Sequence, residues 1–537
     1  MKKKNILQRR KIPLIATLIS ASLLVACVND DDKTIIESKI GNPYELVVTA
    51  LGGELGISEA AHLSYHVNGK AYEFQEKPEP VSDLVSSYRY DIIASQDSNK
   101  IRQQWQINND YAYDVELAFT EIIDNNQGVV IGGPNSFGAY VFGRFGVSSD
   151  PMNAAKLSAR KKTWFMSSPL AIVASIIENG SRDELTTKIQ GYKVSLQLDD
   201  ESHLPKFAET LEFDPLLGDV IYKVEYGNWR AVRNTFYPHK ITHVLDGHVI
   251  RVETLENVQF SELDQTNFDF SGVEPNVQDA DKEASGYLLS QYYLRSLMMG
   301  FPFDGIDETK ISSDFIDSEN KVLRILGIEH YSYAFLIDDQ VYIYDAALSN
   351  NRQKVVLSEV QKKFPGKEIG GVILSHNHFD HAGGFRGALA QGGELYVGSA
   401  SANFYQELLT RPHTLQHNPL ASRGLVTINA VTDKLTLGSG TESLDIYTIA
   451  EGHAEENDML VLYRPSDKTL FNGDLYNSGF AGLQGIYPEL ALTIKKRAQF
   501  LVDFVELHDL DVEFVATTHG DVVNDMSYES VKAAALF

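Results

Sequence analysis

The chain has 537 residues, with 43% apolar and 10% aromatic side chains and a formal net charge of −26. That length exceeds what one hydrophobic core organises and predicts two or three domains, while the apolar content excludes a disordered chain. The acidic balance argues against nucleic acid as a partner, because phosphates call for Lys/Arg patches.

The first residues read as an export signal. Lys2, Lys3, Lys4, Arg9, Arg10 and Lys11 precede an apolar stretch, Ile12–Ala26, too short for a comfortable membrane span. Arg9-Arg10 fits twin-arginine export poorly. The stretch ends Leu24-Val25-Ala26-Cys27, and Cys27 is the single cysteine. One cysteine excludes an intrachain disulfide framework and a cysteine-based zinc ligand. These four residues resemble a bacterial lipobox. The resemblance implies a signal peptide over 1–26, cleavage before Cys27, and a lipid anchor on that cysteine. Val28, rather than Asp, follows it, as in cargo sent on to the outer membrane. The expected location is the bacterial cell envelope, lipid-anchored on the periplasmic side, with the outer membrane ahead of the inner. Residues 27–44, with Asp30-Asp31-Asp32, read as a flexible tether.

Residues 45–272 carry strand signals. Val194, Leu196 and Leu198 alternate with polar neighbours, and Val220–Tyr226 is bounded by Gly227-Asn228. Ile241–Leu245 and His248–Thr254 flank Asp246-Gly247, a strong hairpin signal. Helices are predicted near Met152–Lys162 and Pro169–Glu178. Successive antiparallel strands with short turns predict a curved sheet or open barrel. The run from His203 to Tyr222 loosely resembles the open β half-barrel of bacterial lipoprotein-carrier and lipoprotein-sensor domains. That resemblance implies a concave face able to hold a lipid or acyl chain; a docking domain with a filled core is the alternative. His62, His66, His239, His243 and His248 share no ligand spacing and read as structural or surface residues. Residues 273–317, with Ser285–Met299 rich in Leu, Tyr and Met, read as a helical connector.

From residue 318 to 537 the pattern becomes strand–strand–helix–strand–helix. Strands are predicted at Val322–Leu326, Ala334–Ile337 and Val341–Tyr344, with a helix at Val355–Phe364. Five short segments then each follow an apolar strand: Asp345; Ser-His-Asn-His-Phe-Asp-His at 375–381; His453 in Glu-Gly-His; Asp474 in Asn-Gly-Asp-Leu; and His519 in Thr-His-Gly-Asp. In an extended segment residues i and i+2 point the same way, so His376 and His378 can grip one ion together. Asp380 and His381 lie where the chain turns toward a helix at Ala382-Gly383-Gly384, where they can face a second ion. Imidazole and carboxylate suit Zn²⁺ and related divalent ions.

The order and spacing of these segments resemble the metallo-β-lactamase superfamily, over residues 318–537. The resemblance implies a four-layer αββα sandwich, so that the whole chain is α+β, with an N-terminal antiparallel β-rich domain. It places His376, His378 and His453 on a first metal and Asp380, His381 and His519 on a second, with Asp474 bridging. Asp345 would orient the loop rather than bind metal. Two divalent ions are the expected cofactors, zinc ahead of iron or manganese.

Such a centre implies a metal-dependent hydrolase. A hydroxide bridging the two ions would attack an ester-type bond (thioester, lactone, ester or sulfate ester) of a small-molecule substrate. Asp380 would orient the nucleophile or pass a proton to the leaving group, and Tyr476 would help an oxyanion. His378 stands where the oxygen-reducing diiron branch has Glu, and Asp474 where some β-lactamases have Cys. The pattern is nearest to glyoxalase II-like thioesterases, lactonases and sulfatases. Segment Ala400–Arg423 is expected over the cleft, with His413 and His417 on its surface. The competing reading is a lipid-anchored binding or sensor protein with a non-catalytic metal site. Against it, structural zinc sites are usually closed, single-ion and cysteine-rich.

Overall fold

The structure, a computed structural model, describes residues 42–73, 83–109, 115–134, 147–275, 310–327, 330–449, 458–476, 488–519 and 526–537. The signal peptide, Cys27, most of the tether, most of the connector segment and His453 lie outside the described residues.

Six strands, β1 (His62–Glu73), β2 (Asp83–Ser95), β3 (Lys100–Asn109), β4 (Val115–Asp124), β5 (Gln127–Pro134) and β6 (Val147–Pro151), form one antiparallel meander. A second runs through β7 (Thr186–Ile189), β8 (Tyr192–Leu198), β9 (Pro205–Asp214), β10 (Gly218–Val232), β11 (Thr235–Leu245) and β12 (His248–Phe260). β1 pairs with β12, fusing the two into one twelve-stranded sheet. Asp246 and Gly247 adopt φ of 50° and 86° in the predicted hairpin between β11 and β12, the left-handed pair a two-residue turn requires.

Two helices, Ala154–Ser167 and Pro169–Asn179, link β6 to β7, the two outer edges of that sheet. Their starts follow local rules. Asn153 caps the first by accepting from Lys156 N, and Ser168 caps the second ahead of Pro169. The first helix sends Lys156 and Arg160 to Glu121 on β4, at 2.8 and 2.5 Å, and Lys162 to Glu212 on β9, at 2.6 Å. β4 and β9 are seven places apart in the strand order, which in a flat sheet is about 34 Å. Six residues of helix advance only about 9 Å, so the sheet curls around the helix. Trp164 Nε1 donates to Ser95 O at 3.1 Å and the Tyr226 hydroxyl to Met166 O at 2.6 Å, tying the helix to both meanders. Among the described residues the concave face is therefore filled by helix side chains, buried aromatics and ion pairs, the second of the two alternatives left open by the sequence. His243 is fully buried there, 2.7 Å from the Tyr222 hydroxyl and 3.6 Å from Glu253, a structural histidine.

The C-terminal part is an αββα sandwich. A seven-stranded sheet contains β13 (Ser312–Phe315), β14 (Val322–Gly327), β15 (His330–Ile337), β16 (Gln340–Tyr344), β17 (Glu368–Ile373), β18 (Glu394–Gly398) and β19 (Ile428–Val431). A six-stranded sheet contains β20 (Lys434–Leu437), β21 (Leu444–Ile449), β22 (Met459–Arg464), β23 (Thr469–Phe471), β24 (Phe514–Ala516) and β25 (Met526–Ser527). β13 falls inside the segment read as a helical connector; its polar sequence, Ser-Ser-Asp-Phe, is a half-exposed edge strand instead. Tyr333, Phe335, Tyr344 and Ile373 of one sheet pack against Leu444, Ile446, Leu462 and Phe471 of the other. Helix Asn350–Lys363 covers the outer face of the first sheet through Val356, Leu357 and Val360. Helices Pro488–Leu507 and Tyr528–Leu536 cover that of the second through Ile494, Leu501 and Val531.

Residues 42–537 form one compact unit, and one continuous apolar core joins the curled sheet to Phe379, Phe385, Tyr405 and Leu408. Buried Arg386 donates to Leu216 O at 2.7 Å and to Leu408 O at 2.6 Å. Asp219 accepts from Thr414 N and Oγ1, both at 2.6 Å, and Arg411 pairs with Asp246 at 2.6 Å. His413, expected on the surface, is instead half-buried in this seam with its ring centroid 5.6 Å from that of Phe213, and burial pushes its pKa down to about 4. His417 is exposed, as expected.

Candidate metal centre

Parallel strands bring the ligand segments to one edge. β16 and β17 are parallel neighbours with Tyr344 opposite Ile373, so Asp345 and Ser375-His376 emerge side by side. β23 and β24 are also parallel, with Phe471 opposite Ala516, so Asp474 and His519 emerge together from the second sheet. Loops at the ends of packed strands hold side chains precisely. Glycine is required twice. A Cβ on Gly383 would collide with the Leu348 carbonyl, and Gly473 holds φ at 57° with its Cβ position only 3.0 Å from Ser375 Cβ.

Asp345 organises the 375–381 loop. It is fully buried and takes φ of 62°, a left-handed conformation that Asp tolerates better than most residues. Its carboxylate accepts from Ser375 N at 2.7 Å and Ser375 Oγ at 2.9 Å, and lies 2.8 Å from His381 Nδ1. With the Ser375 hydroxyl proton committed to Asp345, His376 Nδ1–H donates to Ser375 Oγ, 2.8 Å away. Both His376 and His381 are thus held by Nδ1, which turns Nε2 toward the centre.

Around that centre Asp474 lies between two groups. Its Oδ2 is 3.2 Å from His381 Nε2 and 3.8 Å from His376 Nε2, while Oδ1 is 3.3 Å from His519 Nε2. Asp380 Oδ2 is 3.3 Å from His519 Nε2 and 3.7 Å from His381 Nε2. His378 Nδ1 is 2.9 Å from His376 Nε2. His381 reaches both groups, since its Nε2 is also 3.1 Å from His519 Nε2. The structure thus gathers His376, His378, Asp380, His381, Asp474 and His519 in one cluster; His453 lies outside the described residues. Among the described residues, two triads have their ligand atoms within 4.8 Å of one another: His376, His381 and Asp474, and His330, Asp380 and His519.

His330 is the residue sequence reasoning missed. The register across the Asp338-Asp339 turn pairs Tyr333 with Tyr344, which brings His330, the first residue of β15, to the end of the sheet where Asp345 sits. Tyr476 goes elsewhere. Its fully buried ring belongs to the core between the second sheet and the C-terminal helices, its N–H donates to Asn472 Oδ1 at 2.9 Å, and burial pushes its pKa up to about 12.

The charges in the cluster are strongly coupled. Burial would raise the carboxyl pKa values of Asp380 and Asp474, but the surrounding imidazoles, His381 first, hold both well below the ordinary range. Burial would lower His381 and His519, yet Asp474 and its neighbours raise His381 well above its usual value and His519 to about 9. Burial, together with His381 and His378, holds His376 well below its usual value. The donor set fits a pair of divalent ions. Donors about 2.0–2.1 Å from a common tetrahedral ion stand roughly 3.3 Å apart, and the carboxylate–imidazole separations here run from 3.2 to 3.8 Å.

Residues 327–520 match the family model of the metallo-beta-lactamase superfamily. That stretch has the metallo-beta-lactamase fold. Solved structures similar to it include DIM-1 metallo-beta-lactamase, 15% identical, with a TM-score of 0.31, covering 42% of this chain and 96% of that one. A metallo-beta-lactamase from Pontibacter korlensis is 16% identical, with a TM-score of 0.32 and coverages of 42% and 98%. TMB-1 is 17% identical, with a TM-score of 0.30 and coverages of 42% and 95%. Comparison with curated proteins gives no match. The match to the metallo-beta-lactamase superfamily suggests a metal-dependent hydrolase, and the clustered His and Asp side chains give it candidate metal positions.

Proposed function

We propose that the chain is a lipid-anchored, two-metal hydrolase of the bacterial cell envelope that cleaves an ester-type bond: a thioester, lactone, ester or sulfate ester. The observation that carries this is Asp474, whose Oδ2 faces His376 and whose Oδ1 faces His519, with His381 within reach of both sides. A carboxylate so placed suits a bridge between two ions.

In this reading His376 and His378, with His453, hold the first ion. Asp380, His381 and His519 hold the second, with Asp474 between. When bound, the ions supply a hydroxide nucleophile near neutral pH and polarise the scissile group's oxygen. The chain's own residues do the rest. Asp345 and Ser375 keep the imidazole Nε2 atoms aimed inward. Asp380, whose side chain is 21% exposed, faces the open side, where it can orient the nucleophile or pass a proton to the leaving group. Tyr476, buried in the core, supports the Asp474 loop by packing. Segment 400–423 shapes the substrate side. The Tyr405 hydroxyl lies 3.5 Å from the His376 carbonyl, and Thr414 is held by Asp219 of the curled sheet.

The test is a panel of chromogenic thioesters, lactones, esters and sulfate esters, assayed with and without chelator. The reading predicts turnover of at least one class, lost on chelation and regained with zinc, iron or manganese. Turnover indifferent to chelator, or none across the panel in protein replete with metal, would overturn it.

A further inference from the structure

His330 stands outside the expected ligand set, yet its backbone and side chain both converge on it. It forms an antiparallel bridge with His519, and Tyr331 N donates to Thr518 O at 2.8 Å. Residues directly opposite across such a pair project their side chains to the same face. Their ring centroids are accordingly 4.4 Å apart, with the planes tilted at 59° rather than stacked. His330 Nε2 lies 3.3 Å from Asp380 Oδ2, the same distance as His519 Nε2 from that oxygen. The strand end is fixed from behind. The fully buried Arg352 donates to His330 O and to Ser332 Oγ, each at 3.0 Å. The His330 side chain is 13% exposed, so it sits at the mouth of the cluster rather than in the core.

We propose that His330 is a further protein ligand of the second ion, through Nε2, so that Asp380, His330 and His519 grip it from the outer side while His381 and Asp474 face it from the inner side. This rests on the two-ion reading above. A position so rich in imidazole selects a transition-metal dication over Mg²⁺ or Ca²⁺, which prefer oxygen donors.

The experiment uses the full chain, stripped of metal and titrated with Co²⁺, whose visible bands report the donor set of each equivalent. His330→Ala and His330→Gln are compared with wild type. Gln retains a hydrogen bond to Asp380 but is a poor ligand. The proposal predicts that the first equivalent binds all three proteins alike. The second should bind both variants at least ~10-fold more weakly, with altered bands, and Mg²⁺ should compete better against it in the variants. A second equivalent with wild-type bands and affinity in both variants would overturn the proposal. So would rescue by Gln alone, which would make His330 an orienting partner of Asp380. Failure of the wild type to take up a second equivalent would instead overturn the two-ion reading itself.

Discussion

Asp345→Asn is a sharp perturbation of this centre, because it keeps the side-chain shape while removing one buried negative charge and turning one acceptor into a donor. Asn has the same shape and tolerates the φ of 62° that Asp345 adopts, so the backbone need not move. The amide oxygen can still accept from Ser375 N, as Oδ1 does now at 2.7 Å. The NH₂ then falls where Oδ2 accepts at present, 2.8 Å from His381 Nδ1 and 2.9 Å from Ser375 Oγ. It must donate, so His381 Nδ1 has to become an acceptor and the imidazole proton moves to Nε2. That is the nitrogen 3.2 Å from Asp474 and 3.1 Å from His519, and a protonated nitrogen cannot ligate. Lost partners of metal-binding histidines cost about 10–100-fold in affinity, or about 1.4–2.7 kcal/mol. The full tautomer switch puts Asn at the upper end, with Ala no worse on affinity but worse on stability, since it leaves the buried Ser375 N–H unpaired. The assay is competition for Zn²⁺ against a chromogenic chelator, with circular dichroism and thermal melting in parallel. Wild-type zinc affinity in folded Asp345→Asn would refute the orienting role.

Other substitutions and conditions give separate outcomes. His376→Ala and Asp474→Ala should lower turnover of any active chromogen at least ~100-fold, while circular dichroism stays native because the sandwich has its own apolar core; near-wild-type turnover in Asp474→Ala would remove the bridging role. Arg386→Ala leaves the Leu216 and Leu408 carbonyls without their charged donor, at about 1.5–3 kcal/mol for a charge-assisted bond, and should lower the melting temperature; an unchanged melt would deny the seam its weight. In chelator-treated protein His519 has its pKa raised to about 9, so its stabilising contribution is complete below about 6.5 and is lost as pH rises through about 9. Melting temperature should fall across that window, and Zn²⁺ binding at pH 7 should release a proton, seen as buffer-dependent heat in calorimetry; buffer-independent heat would contradict it. Cys27→Ser should shift the protein from the membrane fraction to soluble or unprocessed pools, and unchanged fractionation would exclude the lipid anchor.

What the sequence makes legible here is local. The ligand segments follow apolar strands, and β17, β21, β23 and β24 each lie where that pattern puts them. Asp246-Gly247 announces its hairpin because only a few residues tolerate two left-handed positions in succession. What stays hidden depends on register or on curvature. His330 becomes a neighbour of His519 only through a backbone bridge 189 positions along the chain. Arg160-Lys161-Lys162 looks like a solvated run, yet Arg160 and Lys162 are buried in ion pairs because the sheet curls around their helix. His413 is half-buried because Phe213 and Gly218 of the curled sheet close over it, a contact with no trace in its own sequence neighbourhood.

The central claim is a two-ion centre, and the most direct measurement is metal stoichiometry. Full-length protein stripped of metal, incubated with excess Zn²⁺ and freed of unbound ion, should retain close to two equivalents by elemental analysis, with clearly less in Asp474→Ala. Protein that stays metal-free after reconstitution, or an Asp474→Ala variant that retains zinc as the wild type does, would contradict the account.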